Sequence, residues 1–270
     1  MRRPAHSTGL ARVIGVAQRV GAAQTGKAIR MTADARTDAH GHEGGHHHRD
    51  VSGGWLRPAV FGAMDGLVTN VSLLCGVGGG GASSHTIVLT GLALLSAGAC
   101  SMAAGEFVSV SSQNELIYAE VDKERLELEH NAVAEQAELA TMLRARGISA
   151  ATARQAAAEI SAHPEKALAV HALEELGINP GDLPSPLVAA GASLASFAVG
   201  ALIPLIGYLS GLDVLGFALG LAAVAAVAGG GMVARLTSRP FWRGALRQLL
   251  LGAGAAGITY VIGIFVGHVT

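Results

Sequence analysis

Apolar residues in this chain come in runs of about twenty, not in the three-to-four-residue rhythm of a helix on a soluble surface. Five such runs stand out, at about 58–77, 86–109, 187–209, 214–234 and 249–269. Each is close to the ~20 residues a helix needs to cross the hydrocarbon core of a bilayer. A soluble bundle with five wholly buried helices is the competing reading. Only 14% of residues are charged and the mean hydropathy is +0.43, whereas a soluble domain carries about 25% charged residues. The pattern therefore predicts an all-α membrane protein with five transmembrane helices and one helical insertion between the second and third.

The insertion, residues 114–183, has a different texture. The second apolar run continues through Gln113 into it without a Gly or Pro break, which predicts one helix reaching Arg146, with Gly147 as its terminating residue. Ser149 can cap a second helix lasting to about Ala162, and Pro164 can open a third that closes near Leu176 and Gly177. On the first of these, Glu120, Glu124, Glu127, Asn131, Glu135, Glu138 and Met142 fall within roughly 80° of one face at 100° per residue. Glu115, Asp122 and Glu129 lie on the opposite side. Carboxylates stacked at i, i+3 and i+4 repel one another unless a cation sits among them. Oxygen ligands of this kind suit divalent metals such as magnesium, calcium, manganese or ferrous iron. On the third helix His171, Glu174 and Glu175 share a side. Three such faces turned together make a metal cage below the membrane; three separately solvated faces are the duller alternative.

Charge is separated along the chain. Residues 114–183 hold 13 acidic and 6 basic side chains, a net of −7, and the remainder holds 7 and 13, a net of +6. Arg49 and Arg57 precede the first membrane run, and Arg235, Arg239, Arg243 and Arg247 lie between the fourth and fifth, while the loops 78–85 and 210–213 carry no Lys or Arg. The positive-inside rule then puts the N-terminus, the insertion and the Arg-rich loop in the cytoplasm, with the C-terminus outside, in the cell membrane. Residues 1–54 read as a disordered tail. Its first 33 residues hold six basic side chains and no acidic one, as in a transit peptide, and a translation start at Met31 is the plainer expectation. His40, His42, His46, His47 and His48 follow, interleaved with Gly, a tract able to gather metal through neutral imidazole.

Two ionisable residues stand far from the ends of membrane runs, Asp65 and Glu106. A carboxylate at mid-bilayer costs about 2.5–3.5 kcal/mol even on lenient scales, so both default to function. Met102 shares a face with Glu106, and Thr69 and Ser72 share one with Asp65. Gly62 and Gly66 form a G-x-x-x-G around Asp65, which predicts pairing of this helix between two copies, with packing inside one subunit as the competing role. Cys75 and Cys100 lack metal-type spacing and read as small packing residues.

The segment from Gly62 to Asn70 (GAMDGLVTN) followed by Gly76-Val77, the segment from Ala99 to Val110 (ACSMAAGEFVSV) followed by Ser112-Gln113, and the segment from Ser196 to Leu205 (SFAVGALIPL) resemble the first three membrane helices of the vacuolar iron transporter family, as a bacterial member of it. The resemblance covers about residues 55–270. It implies membrane helices 1–2 over 55–113, a cytoplasmic three-helix metal-binding domain over 114–183 and helices 3–5 over 184–270. It further implies a homodimer that exports ferrous iron, and often manganese, from the cytoplasm in exchange for protons. The transport path corresponds to Asp65, Met102 and Glu106. The domain's paired glutamates correspond to Glu124 with Glu127 and Glu135 with Glu138, and a later one to Glu175 or, less well, Glu174. Methionines that plant members carry near that point are absent, His171 being the nearest candidate, which leaves the coordination and metal preference open. The resemblance implies no permanently bound cofactor; iron or manganese is the cargo, with zinc or cobalt as further candidates in the cytoplasmic domain. Its partners are the lipid bilayer, divalent ions, protons and a second copy, with no nucleic acid. Two other classes stay open. Glu127 and His130 form an E-x-x-H, half of a di-iron ferroxidase pattern, and a non-transporting metal sensor or buffer would need membrane helices only as anchors.

Overall fold

The computed structural model describes residues 54–212 and 214–269; the histidine tract and the expected tail and start at Met31 lie outside the described residues. Within these the chain forms eight helices and no strand: α1 Leu56–Gly79, α2 Ser84–His130, α3 Ala132–Ala145, α4 Ala150–Ser161, α5 Pro164–Glu175, α6 Pro186–Leu209, α7 Leu215–Leu236 and α8 Phe241–Val269. Five of them, α1, α2, α6, α7 and α8, are long and apolar enough to cross a membrane, as the hydropathy pattern predicts.

Local chemistry sets the helix ends. Ser83 opens α2 by accepting from the Thr86 amide at 3.3 Å, and Ser149 opens α4 by accepting from the Thr152 amide at 3.3 Å, each satisfying a donor the first turn leaves free. Pro164 and Pro186 stand in the first turns of α5 and α6, where a missing N–H costs nothing. Gly147 and Gly177 close their helices at φ +92° and +65°, the left-handed geometry a residue with a Cβ resists.

One boundary corrects the sequence reading. The helix entering the insertion does not reach Arg146: α2 ends at His130 and α3 begins at Ala132, because Asn131 leaves the helical region at φ −126°, ψ 31°. Its amide still caps α2 on the Glu127 carbonyl at 2.8 Å, and its carbonyl accepts from Ala134 at 2.8 Å and Glu135 at 3.1 Å to start the next helix. The insertion is therefore the outer end of α2 plus three short helices.

In the membrane bundle α1 is central, touching each of the other four spanning helices. Lipid tails are as apolar as the side chains, so spanning helices associate through close backbone approach more than through apolar burial. At the α1–α6 crossing a Cβ on Gly66 would overlap the Phe197 carbonyl, and one on Gly200 would overlap the Ala63 carbonyl. Gly62 likewise faces Ser193 and Ser196 of α6. The G-x-x-x-G thus serves the competing role, packing against α6 inside one subunit. Gly263 of α8 abuts the Gly76 carbonyl, and Gly230 and Gly244 abut each other where α7 crosses α8. Buried Asn70 adds a polar tie, donating through Nδ2 to the Ala201 carbonyl at 2.6 Å. From α8, the Thr259 hydroxyl donates to the Ser72 carbonyl at 2.7 Å. Cys75 is buried and Cys100 exposed, both as free thiols.

The start of α1, the insertion and the α7–α8 connection share one end of the bundle. Asn114 Nδ2 donates to the Pro184 carbonyl at 2.9 Å, pinning the exit of α2 to the entry of α6, and a Cβ on Gly54 would meet Pro184. Arg57 and Arg247 line one cavity at this end. That is the grouping the arginine distribution predicts.

A backbone obstacle cannot rotate away as a side chain can. Gly66→Ala should therefore lower the unfolding temperature of the detergent-solubilised protein, by the equivalent of about 1–3 kcal/mol of overpacking. Gly254→Ala, where a Cβ meets nothing within 4 Å, should leave it unchanged or raise it.

Candidate metal site

The insertion has two small apolar cores. Val121 of α2 packs with Leu168 and Ala172 of α5, and Leu139 and Ala140 of α3 pack with Ala157 of α4. Both hold α5 in place, and with it His171, whose ring is wholly buried at 0% exposure. Around that ring the turn at Asn131 brings α2 and α3 together. On one unbroken helix Glu124 and Glu135 would share a face yet stand about 16 Å apart, eleven residues at ~1.5 Å each. Folded back, Glu124, Glu135, His171 and Glu175 offer ligand atoms all within 4.8 Å of one another. Among the described residues this is the one group of three or more His, Cys, Asp or Glu side chains close enough to share an ion.

The carboxylates converge on a single ring nitrogen. His171 Nδ1 lies 3.0 Å from Glu124 Oε1, 3.2 Å from Glu175 Oε1 and 3.9 Å from Glu135 Oε2. One N–H cannot satisfy three acceptors. Glu124 Oε1 lacks an aligned donor and His171 Nε2 is buried without a partner. Glu124 and Glu135 are only 6% and 7% exposed, while Glu175 keeps an exposed edge, so the site is closed except on one side. Burial pushes the Glu124 carboxyl up to about 7, with Glu175 next and Glu135 and Glu127 adding repulsion, while His171 opposes the rise. Burial and the neighbouring Glu138 raise Glu135 in the same direction, again against His171. A buried Glu124 that binds its proton up to about pH 7, with Glu135 and Glu175 around the same imidazole, forms a donor set a divalent cation would complete. Oxygen and imidazole together suit ferrous iron, manganese, cobalt and zinc.

Other residues singled out in the sequence take different places. Glu127 is half-buried and Glu138 exposed; both lie outside the four-residue group and act on it through their charge. Glu174 is turned away and pairs with Arg146 at 3.0 Å, which removes it from the set of ligands. Glu120 is exposed on α2. His130 is also exposed and bonds the Leu126 carbonyl through Nδ1 at 2.7 Å, so the E-x-x-H it forms with Glu127 contributes no histidine to the cluster. The sequence signal for the convergence is weak, because Asn131 is neither Gly nor Pro and its side chain makes no cap.

In the membrane half, Asp65 is half-buried and accepts from the Thr69 hydroxyl at 3.3 Å. Met102 packs on the cluster of Ala99, Phe197 and Ala201. Glu106 is half-buried one turn further along α2. Within one chain Asp65 and Glu106 join no group of three or more ligands among the described residues. Glu106 and Glu124 do ride on the same helix, 18 residues and so about 27 Å apart.

Comparison with known proteins is consistent across its results. Residues 56–264 match the VIT family. The chain is 38% identical over 164 residues to the vacuolar iron transporter of Acanthamoeba castellanii, covering 60% of this chain and 59% of that protein's length. It is 34% identical over 209 residues to vacuolar iron transporter homolog 5 of Oryza sativa, covering 76% of this chain and 77% of that one. Homolog 1 of the same plant is 36% identical over 221 residues, covering 79% and 75%.

The raised Glu124 has a consequence in pH. A carboxyl whose folded value stands near 7 against an ordinary 4.5 binds its proton more tightly folded than unfolded. The metal-free protein should therefore lose stability as pH climbs from about 4.5 to about 7 and level off above. Thermal unfolding across that range should show the decline, and Glu124→Gln should flatten it. Divalent metal must displace the same proton, so its apparent affinity should strengthen up to about pH 7 with measurable proton release.

Proposed function

The chain belongs to the VIT family, and from that premise we propose that it is a membrane transporter that moves ferrous iron, and manganese with it, out of the cytoplasm in exchange for protons, working as a homodimer. The observation that carries the reading is the buried Glu124–Glu135–His171–Glu175 cluster built on the outer end of a membrane-spanning helix. An inert anchor would need no such cluster, nor carboxylates at Asp65 and Glu106 inside the span. The names of the relatives, vacuolar iron transporter and its homologues, support iron as the cargo.

The cluster takes the role of capture. Glu124, raised to about 7, gives up its proton when a cation enters, so loading is itself a metal-for-proton exchange. Asp65, Met102 and Glu106 take the role of passage, supplying two hard oxygen donors and a softer thioether to a divalent ion between them. Since one chain does not gather Asp65 and Glu106 into a cluster, the second copy supplies the missing side of the path. The arginines at the end of the bundle that bears the insertion support a cytoplasmic location for the cluster, and so the outward direction, across the cell membrane.

The test is flux in sealed proteoliposomes against an opposing proton gradient, across iron, manganese, cobalt, nickel and zinc. Asp65→Ala and Glu106→Ala should each abolish transport while the protein stays monodisperse; wild-type rates in both would remove them from the path. Glu124→Gln with Glu135→Gln should cut flux most at low metal and recover in part at high metal. Glu127→Gln with Glu138→Gln, which act on the ligands only through charge, should weaken metal binding by about tenfold. Metal bound by the wild type without any flux would indicate a buffer instead.

A further inference from the structure

Where α1, α7 and α8 meet at the arginine-bearing end, they form an open cavity of about 300 Å³ lined by Arg57, Phe61, Met64, Val233, Arg247 and Gln248 among others. A second cavity, of about 210 Å³, opens between the same three helices and is lined only by apolar residues, including Val68, Ala226, Gly252 and Ala253. The two are consecutive. Val68 follows Met64 by four residues, Ala226 precedes Gly230 by four, and Gly252 follows Gln248 by four, one turn deeper on each helix. The two thus follow one another along the same three-helix seam, a doubly cationic mouth and, one turn deeper, an apolar limb.

Charge and shape commit the occupant. Arg57 and Arg247 have no acidic partner among the described residues, and Asp65 lies about 100° around α1 from Met64, off the cleft. Beside the mouth Arg235 stacks on Phe241 at 5.2 Å and Arg243 on Trp242 at 5.4 Å, the aromatic and cationic dressing of a membrane–water interface. At about 210 Å³ the apolar limb holds less than one turn of a helix about 10 Å across, and it offers a free inorganic anion nothing. We propose that this cleft is a binding site for one anionic phospholipid, its phosphate held between Arg57 and Arg247 and one acyl chain laid along α1, α7 and α8. Juxtaposed arginines attract anionic headgroups, and the chain in the limb makes the site selective for a lipid. A lipid seated there ties the α7–α8 connection to the start of α1 without touching Asp65 or the metal cluster.

Native mass spectrometry of the full chain in detergent, with dioleoyl phosphatidylglycerol as probe and phosphatidylcholine as reference, tests this. One phosphatidylglycerol should stay bound per chain in preference to phosphatidylcholine. Arg57→Gln with Arg247→Gln should weaken retention by about tenfold. Arg239→Gln with Arg243→Gln removes equal charge at the same end outside the cleft and should change it less than about twofold. Ala253→Leu, which fills the limb from its exposed side, should also lose the lipid although the mouth is intact. Lipid-free unfolding temperatures like the wild type's certify each variant as folded, and inorganic phosphate should neither bind nor raise them. Equal losses from the two arginine pairs would reduce the effect to surface charge and overturn the site. So would full retention in Ala253→Leu, or a change of oligomeric mass in that variant with no lipid on the wild type, which would assign the cleft to a second copy.

Discussion

Lipid tails are as apolar as leucine, so five spanning helices gain little by hiding their side chains from the bilayer, and cohesion must come from backbones brought close enough for dense contact. The arrangement of this bundle follows from that constraint. α1 occupies the centre because its glycines meet two helices at different depths, Gly62 and Gly66 toward α6 and Gly76 toward α8. Buried polar ties, from Asn70 to Ala201 and from Thr259 to Ser72, lie along the same two contacts. Asp65 lies about 100° around α1 from Gly66, off the α6 crossing, and about three turns short of the α8 contact at Gly76. A carboxylate in a membrane is tolerable only where protein, water or a cation answers it, and the partner the chain itself supplies is the Thr69 hydroxyl at 3.3 Å.

The insertion works under the opposite constraint. Its apolar cores are small, and beside Leu139 and a few alanines its buried positions hold polar groups, His171 at 0% exposure and Glu124 and Glu135 at 6% and 7%. Glu124, Glu135 and His171 would cost the domain stability if all were ionised and unpartnered, and the raised carboxyls are how the metal-free fold relieves that cost. A cation with two charges can replace those protons and bring each orphaned acceptor a partner. The same residues cost the metal-free fold stability and would return it on loading. Metal binding at the cluster would in that way be coupled to the stability of the insertion.

Much of this was legible in the sequence, and the failures have identifiable causes. Twenty-residue apolar runs have one economical solution in a bilayer, so the five spans were readable, as were the ends marked by Ser149, Pro164, Gly147 and Gly177. The stripe from Glu120 to Met142 was real as an angular pattern and wrong as a rod, because Asn131 interrupts the helix without the usual punctuation of Gly or Pro. Angle alone could not separate Glu174 from Glu175 either; the neighbour that decides is Arg146, four residues beyond Met142 and on another element. The G-x-x-x-G named a close approach correctly but not its partner, since glycine permits contact with any backbone, and here the backbone is α6 of the same chain. The cleft of Arg57 and Arg247 had no sequence signature, because it is assembled from three helices distant in the chain.

The unbroken α2, 47 residues long and so about 70 Å from end to end, also has a meaning in concentrations. A cluster tethered by a flexible linker would sweep a large volume and dilute whatever it let go. Here Glu124 is held about 27 Å from Glu106 by continuous helical hydrogen bonds. A single ion released within a half-sphere of that radius is present at on the order of tens of millimolar. Free divalent metal in the surrounding solution need be nowhere near that level for the membrane acids to encounter it as though it were.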